Sequence, residues 1–199
     1  MFTAQFLEGL PDAWAEVDAI ACGWSPESPQ ARWVDDRVGI ADAAGRPLLR
    51  IDLAYEHSYT FAREVRSSAS VVVIGAGGNC LVVKPHTREV RSFADRQEAF
   101  IESVERPEDL GEPANAFGFI VSSVFDLWHL DEDGNELWHV ETLAIGGMVL
   151  NGVHAGLLNG SAQWDQPDGW AKFSVDLKTG QLVQAPEPYW SQWHKSIFR

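Results

Sequence analysis

The sequence predicts a mainly β protein, built as a repeated antiparallel meander with a helix at its N-terminus. Turn chemistry is the first observation. Four runs of β-branched and leucine-rich residues fold back about a short polar centre: RVGIADAAGRPLLRIDL (37–53), LVVKPHTREVRSF (81–93), VFDLWHLDEDGNELWHVETL (124–143) and AKFSVDLKTGQLV (171–183). Their centres are Ala43-Ala44-Gly45, His86-Thr87-Arg88, Asp133-Gly134 and Thr179-Gly180, where glycine supplies the positive φ that a tight hairpin needs. Spacing is the second. Gly45 to Arg88 is 43 residues, Arg88 to Gly134 is 46, and Gly134 to Gly180 is 46. Self-similarity is the third. Sliding VVVIGAGGNCLVVKPHTR (71–88) by 46 places it on FGFIVSSVFDLWHLDEDG (117–134), with Leu81-Val82-Val83 on Leu127-Trp128-His129. A period in the forties with several strands per unit is the pattern of a small propeller, an open barrel or a sandwich.

The elements follow in order within one domain, 1–199. Residues 1–24 read as a helical segment, from Asp12 to about Cys22: Asp12 can cap, and Trp14, Val17 and Ala21 recur at three and four residues. Gly23 stops it, SPESPQ (25–30) is a loop, and the β-meander body occupies 31–199. YEHSYTF (55–61) alternates Tyr55, His57, Tyr59 and Phe61 on one face, as a half-buried strand does. A second short helix is expected over about 95–105. Asp95 and Glu98 there have capping-box spacing, and Phe100, Ile101 and Val104 form an apolar face. In the last unit, Pro167-Asp168-Gly169 marks one more turn.

The stretch VVVIGAGGNCLVVKP (71–85) opens like a dinucleotide cradle, but that fingerprint needs a third glycine and a helix. Cys80 occupies the third glycine position, and Leu81-Val82-Val83 with Pro85 is strand-like. Without a helix there is no fan of N–H groups for a pyrophosphate. Gly75, Gly77 and Gly78 are therefore expected to serve a turn, and no cofactor is expected.

Fifteen basic against 29 acidic residues give a net charge of −14. Such a field repels phosphate backbones, which argues against a nucleic-acid partner. The net negative charge lies at the ends: residues 1–60 carry ten acids and four bases and residues 111–199 eleven and four, whereas residues 61–110 are nearly balanced at eight and seven. No stretch approaches a membrane span. The N-terminus has no Lys or Arg before its apolar positions and carries Glu8, Asp12, Glu16 and Asp18, so a cytoplasmic protein is expected. Cys22 and Cys80 lack C-x-x-C spacing and read as small buried thiols, with a Cys22–Cys80 bridge as the alternative.

DEDGNELWHVET (131–142) imitates a calcium loop, but Glu136 replaces the bending glycine and Thr142 the terminal glutamate, so a hairpin tip is expected. His129 and His139 lie on the two arms of that hairpin, each after a Trp, which predicts cross-strand ring packing. Two donors fall short of a metal site, and Asp126 and Glu141 are only neighbours by sequence. No G-x-S-x-G elbow, H-E-x-x-H helix or P-loop occurs, so no catalytic residue is assigned. The remaining acid–base reading pairs Asp165 with His154. Nine tryptophans are present, among them Trp164 and Trp170 on either side of the Pro-Asp-Gly turn. Indoles cover shallow cores, and when exposed they bind sugars or partners.

LAIGG (143–147), GSAQWDQPDGW (160–170) and DLKTG (176–180) resemble a group of small uncharacterised bacterial proteins. Members of that group carry L-A-I-D-G and G-E-W-D-P-P-G-G-W before a strand ending in L-x-T-G. The resemblance covers residues 65–183 and departs at Gly146, Ala162, Gln163, Gln166 and Asp168. It implies a β fold and a bacterial origin, with no activity attached. The hairpin units also look like blades of quinoprotein-type propellers. The functional expectation is a non-catalytic acidic module that binds a basic protein, as an immunity-type inhibitor covers a cationic toxin domain. Its binding residues would be Asp131, Glu132, Asp133 and Glu136. The alternative is a small-molecule or carbohydrate-binding β module using Trp164, Trp170 and Asp165.

Overall fold

The computed structural model describes residues 2–23, 34–55, 63–93, 100–114, 116–165 and 169–184. The elements run β1 Thr3–Phe6, α1 Asp12–Ala15, β2 Ala19–Cys22, β3 Asp36–Ala41, β4 Pro47–Leu53, β5 Arg63–Ser67, β6 Val72–Ala76, β7 Asn79–Lys84 and β8 Glu89–Ser92. They continue with β9 Ile101–Glu105, a 3-10 turn Pro107–Leu110, β10 Phe119–Ser123, β11 Leu127–Leu130 and β12 Glu136–Val140. The last four are β13 Met148–His154, β14 Leu157–Asp165, β15 Gly169–Asp176 and β16 Leu182–Gln184.

Among the described residues the strands form four sheets of four strands, none of them closed into a barrel. Their orders are β1-β3-β4-β2, β5-β6-β7-β8, β12-β11-β10-β9 and β13-β14-β15-β16. Three of the four are thus meanders in chain order, as expected from hairpin after hairpin. All four sequence-predicted hairpins are present as β3–β4, β7–β8, β11–β12 and β15–β16.

The N-terminal helix is corrected by the structure. Only Asp12–Ala15 is helical, and Ala19–Cys22 is instead a strand paired parallel to β4, Ile20 opposite Ile51. Four residues cannot repay helix nucleation alone, whereas Ile20 and Cys22 gain a core by pairing. The expected helix over 95–105 is corrected likewise where it is described. Ile101–Glu105 is a strand, with Ile101 and Val104 fully buried, and residues 94–99 lie outside the described residues. Of YEHSYTF, only Tyr55 is described.

The chain divides into two compact units, Met1–Val104 with Glu132–Gly134, and Glu105–Asp131 with Asn135–Arg199. In the first, Val38, Ile40, Leu49, Ile51, Val72, Ile74 and Val83 are all fully buried in one core. Each lies at period two on its strand, which is the sequence pattern that buries one face. In the second, Ile120, Leu127, Leu158, Phe173 and Val175 are similarly buried with Trp138 at their margin.

The GAGGN stretch is a two-residue hairpin loop. Gly75 pairs Cys80 and Ala76 pairs Asn79, leaving Gly77 and Gly78 at the tip, with Gly77 at φ 56°. Gly75 has a different job from the one expected. It lies in β6, and a methyl there would meet Ile101 Cγ2 at 2.7 Å and Val104 Cγ2 at 2.8 Å. Its glycine is required by packing, not by the turn.

Candidate functional site: the β11–β12 hairpin

Every site residue the sequence proposed except Trp164, Trp170 and Asp165 falls on the β11–β12 hairpin. Its tip is shaped by Asp131. The Asp131 carboxylate accepts from the Asn135 backbone N–H at 2.7 Å and from Asn135 Nδ2 at 2.9 Å. The Asp131 N–H donates back to the Asn135 carbonyl at 2.8 Å, and Gly134 sits at φ 75°. This self-capped turn organises the DEDGN stretch. The tip backbone, residues 132–134, belongs to the first unit and is held within it. Ser68 Oγ donates to the Glu132 carbonyl at 2.8 Å, and the Arg91 guanidinium donates to the Gly134 carbonyl. Asp131 is half-buried, while Glu132, Asp133 and Glu136 are exposed.

Beside them stands a residue that the sequence reading missed. The β11–β12 register runs His129 to Trp138 and then Leu130 to Glu136, so Leu137 is the extra residue of a β-bulge. It is 57% exposed on the edge strand of its sheet. Bulges re-aim side chains at sheet edges. The signal was the ELWHV stretch, in which strict alternation from Trp138 would have left Glu136, not Leu137, on the core side.

Further down the hairpin, both expected ring pairs are present. Trp128 and His139 are cross-strand partners with centroids 4.7 Å apart and an interplanar angle of 14°. His129 and Trp138 meet at 5.1 Å and 63°, and Phe117 closes on His129 edge-on at 5.8 Å. The two pairs face opposite sides of the sheet.

Asp126 and Glu141 prove to be spatial neighbours of His139 as well. His139 Nε2 lies 3.6 Å from Asp126 Oδ2, and Nδ1 lies 4.0 Å from Glu141 Oε1. The Asp126 side chain is 3% exposed and its Oδ1 accepts from the Thr142 N–H at 2.7 Å. Thr142 is held at φ 54°, an unusual conformation for a β-branched residue. The Ser123 hydroxyl accepts from the Asp126 N–H at 2.9 Å and fixes the preceding turn. Among the described residues, no group of three or more His, Cys, Asp or Glu is placed to hold a metal ion.

The alternative site is dispersed. Trp164 is half-buried and packs against the second unit's core, whereas Trp170 is 47% exposed. Trp170 pairs with Gln163 across the ladder, and Asp165 pairs with Gly169 at the end of β14. Residues 166–168 of the intervening turn lie outside the described residues. His154 and Asp165 are not brought together. His154 pairs with Leu157 at one end of β14 and Asp165 ends the other, about 26 Å along a strand at ~3.3 Å per residue.

Cys22 and Cys80 are free and buried. Burial pushes the Cys22 thiol up to about 11, with the Asp52 charge adding, and the Cys80 thiol up to about 12. Both are inert at neutral pH. Among the described residues, no helix is long and apolar enough to cross a membrane.

No family model matches the chain, and no curated protein matches it either. The class defined so far is that of the fold alone, a mainly antiparallel β protein of four-stranded sheets.

Proposed function

We propose that this protein is a non-catalytic acidic binding module whose partner is a basic protein, in the manner of a bacterial immunity-type inhibitor acting in the cytoplasm. One observation carries the reading: Leu137 protrudes at 57% exposure from a bulged edge strand, next to exposed Glu136 and close in sequence to exposed Glu132 and Asp133. An apolar anchor with carboxylates near it suits a steered protein interface. The Asp131 self-cap and the anchors from Ser68 and Arg91 supply a pre-ordered tip, so little ordering is needed on binding. The net charge of −14 supplies the long-range attraction to a cationic partner. Three consecutive meanders at a spacing of about 46 residues support a repeated unit, of the kind used in small propellers and in the bacterial group that residues 65–183 resemble. The test is direct mixing with the product of the adjacent gene across a salt series. Complex formation that weakens with salt supports the reading, and no complex at low salt contradicts it.

A second reading is favoured by one specific residue. Trp170 is 47% exposed beside Gln163, and Lys172 is exposed two residues on, a stacking ring with polar neighbours suited to a sugar. A glycan titration followed by tryptophan fluorescence separates the readings, since a flat response removes the second.

A further inference from the structure

His129 is a buried imidazole where the pattern calls for an aliphatic residue. It shares the period-two face of β11 with Leu127, and its ladder neighbours are Ile120 and Trp138, all three members of the second unit's core. It is 5% exposed. The rings of Phe117 and Trp138 pack against it edge-on. Neither ring nitrogen has a hydrogen-bond partner of good geometry among the described residues. The Leu177 carbonyl already accepts from Trp138 Nε1 at 2.8 Å. A neutral imidazole is tolerated in such a box, whereas an imidazolium there loses its hydration without a paired charge.

We infer that His129 is an acid-sensing element of the second unit, whose protonation loosens the β11–β12 hairpin that it shares with the acidic tip. The charged group that bears on it, just beyond the end of its own strand, is Asp131, which is engaged in the Asn135 turn. From β10 and β12 the facing side chains, Ile120 and Trp138, are apolar. Beside Leu177, Asp176 is engaged with the Thr179 N–H and hydroxyl, and Lys178 is exposed. His139 stacks on Trp128 on the opposite face. Burial lowers the His129 pKa from its ordinary 6.5, and the Leu177 carbonyl and Asp131 only partly offset it.

The sign follows from linkage. The unfolded chain binds the proton more readily than the folded one, so the stability is whole above about pH 6.5 and falls as pH drops below it. It levels off beneath the folded pKa, where both states carry the proton. One proton allows at most about a tenfold change in the folding constant per pH unit. That this loosening releases a partner rests on the function proposed above, but the sensing itself is tested on the free protein.

Denaturant unfolding of the wild type, His129→Leu and His139→Gln is compared from pH 8 to pH 5, together with NMR titration of the histidine rings in the wild type. We expect the wild type and His139→Gln to lose stability below pH 6.5, His129→Leu to lose less, and the His129 ring to titrate below 6.5. A His129 ring that titrates at or above 6.5 overturns the inference. Parallel losses in wild type and His129→Leu do so as well. The NMR arm needs no variant, so a misfolded His129→Leu leaves the inference exposed to refutation.

Discussion

Trp128 and His139 lie nearly parallel across the β11–β12 ladder, 4.7 Å apart, while the adjoining pair His129 and Trp138 meets edge-on at 5.1 Å on the other face. One hairpin therefore carries two indole–imidazole pairs in unlike surroundings. His139 is 24% exposed at its side chain and faces Asp126 and Glu141, whereas His129 is enclosed by the core. Replacing Trp128 and His139 by Ala singly and together should reveal a coupling of about 0.5–1.5 kcal/mol, the range for ring pairs beyond their area. Additive losses in denaturant unfolding would show that the stacking contributes nothing specific.

Gly75 and Gly45 separate two uses of glycine. Gly75→Ala forces a methyl against Ile101 and Val104 and should destabilise the first unit by about 1–3 kcal/mol. Gly45→Ala has open space but φ 75°, so its cost of about 1 kcal/mol is backbone strain. Adding Val104→Ala should recover part of the first loss and none of the second. Equal behaviour of the two in the double variants would refute the distinction.

Thr142 is held in the left-handed region by the Asp126 carboxylate. Thr142→Gly should raise stability by up to about 1 kcal/mol, because glycine adopts that φ without a Cβ penalty. Thr142→Ala should give no such gain. A thermal melt in which the glycine variant is no better than alanine would contradict the assignment of strain.

The two thiols should resist a maleimide at pH 8 in the native protein and both react once it is denatured. Their folded values of about 11 and about 12 lie above the ordinary 9.0. The folded state therefore favours the protonated thiol. That contribution is whole below about pH 9 and is lost as pH rises toward the folded values. Rapid native labelling of either cysteine would overturn the burial argument.

The hairpins were legible because turn residues act locally: Gly45, Gly77, Gly134 and Gly180 all take the positive φ their places require. The segments misread as helix were decided elsewhere. Ala19–Cys22 becomes a strand because β4 offers it a parallel edge, and Ile101–Glu105 because Ile101 and Val104 fill the space left by Gly75. Helical spacing and a capping pair act within one turn and cannot register such distant partners. The acidic tip was legible as charge in a turn, since Asp131 and Asn135 close it locally. For Leu137 the alternation from Trp138 was legible but the bulge was not, because a bulge shifts register by one residue without changing composition. Asp126 meets His139 only through the hairpin pairing of Trp128 with His139.

The most direct test of the account is stopped-flow association with the product of the adjacent gene, measured from low to physiological salt. The wild type, a Glu132→Gln/Asp133→Asn/Glu136→Gln variant and Leu137→Ala are compared. The account predicts that neutralising the three carboxylates slows association by roughly tenfold at low salt and flattens the salt dependence. It predicts that Leu137→Ala speeds dissociation by roughly tenfold or more, as loss of an interface anchor does. Unchanged association for the neutralised hairpin together with unchanged dissociation for Leu137→Ala would contradict it.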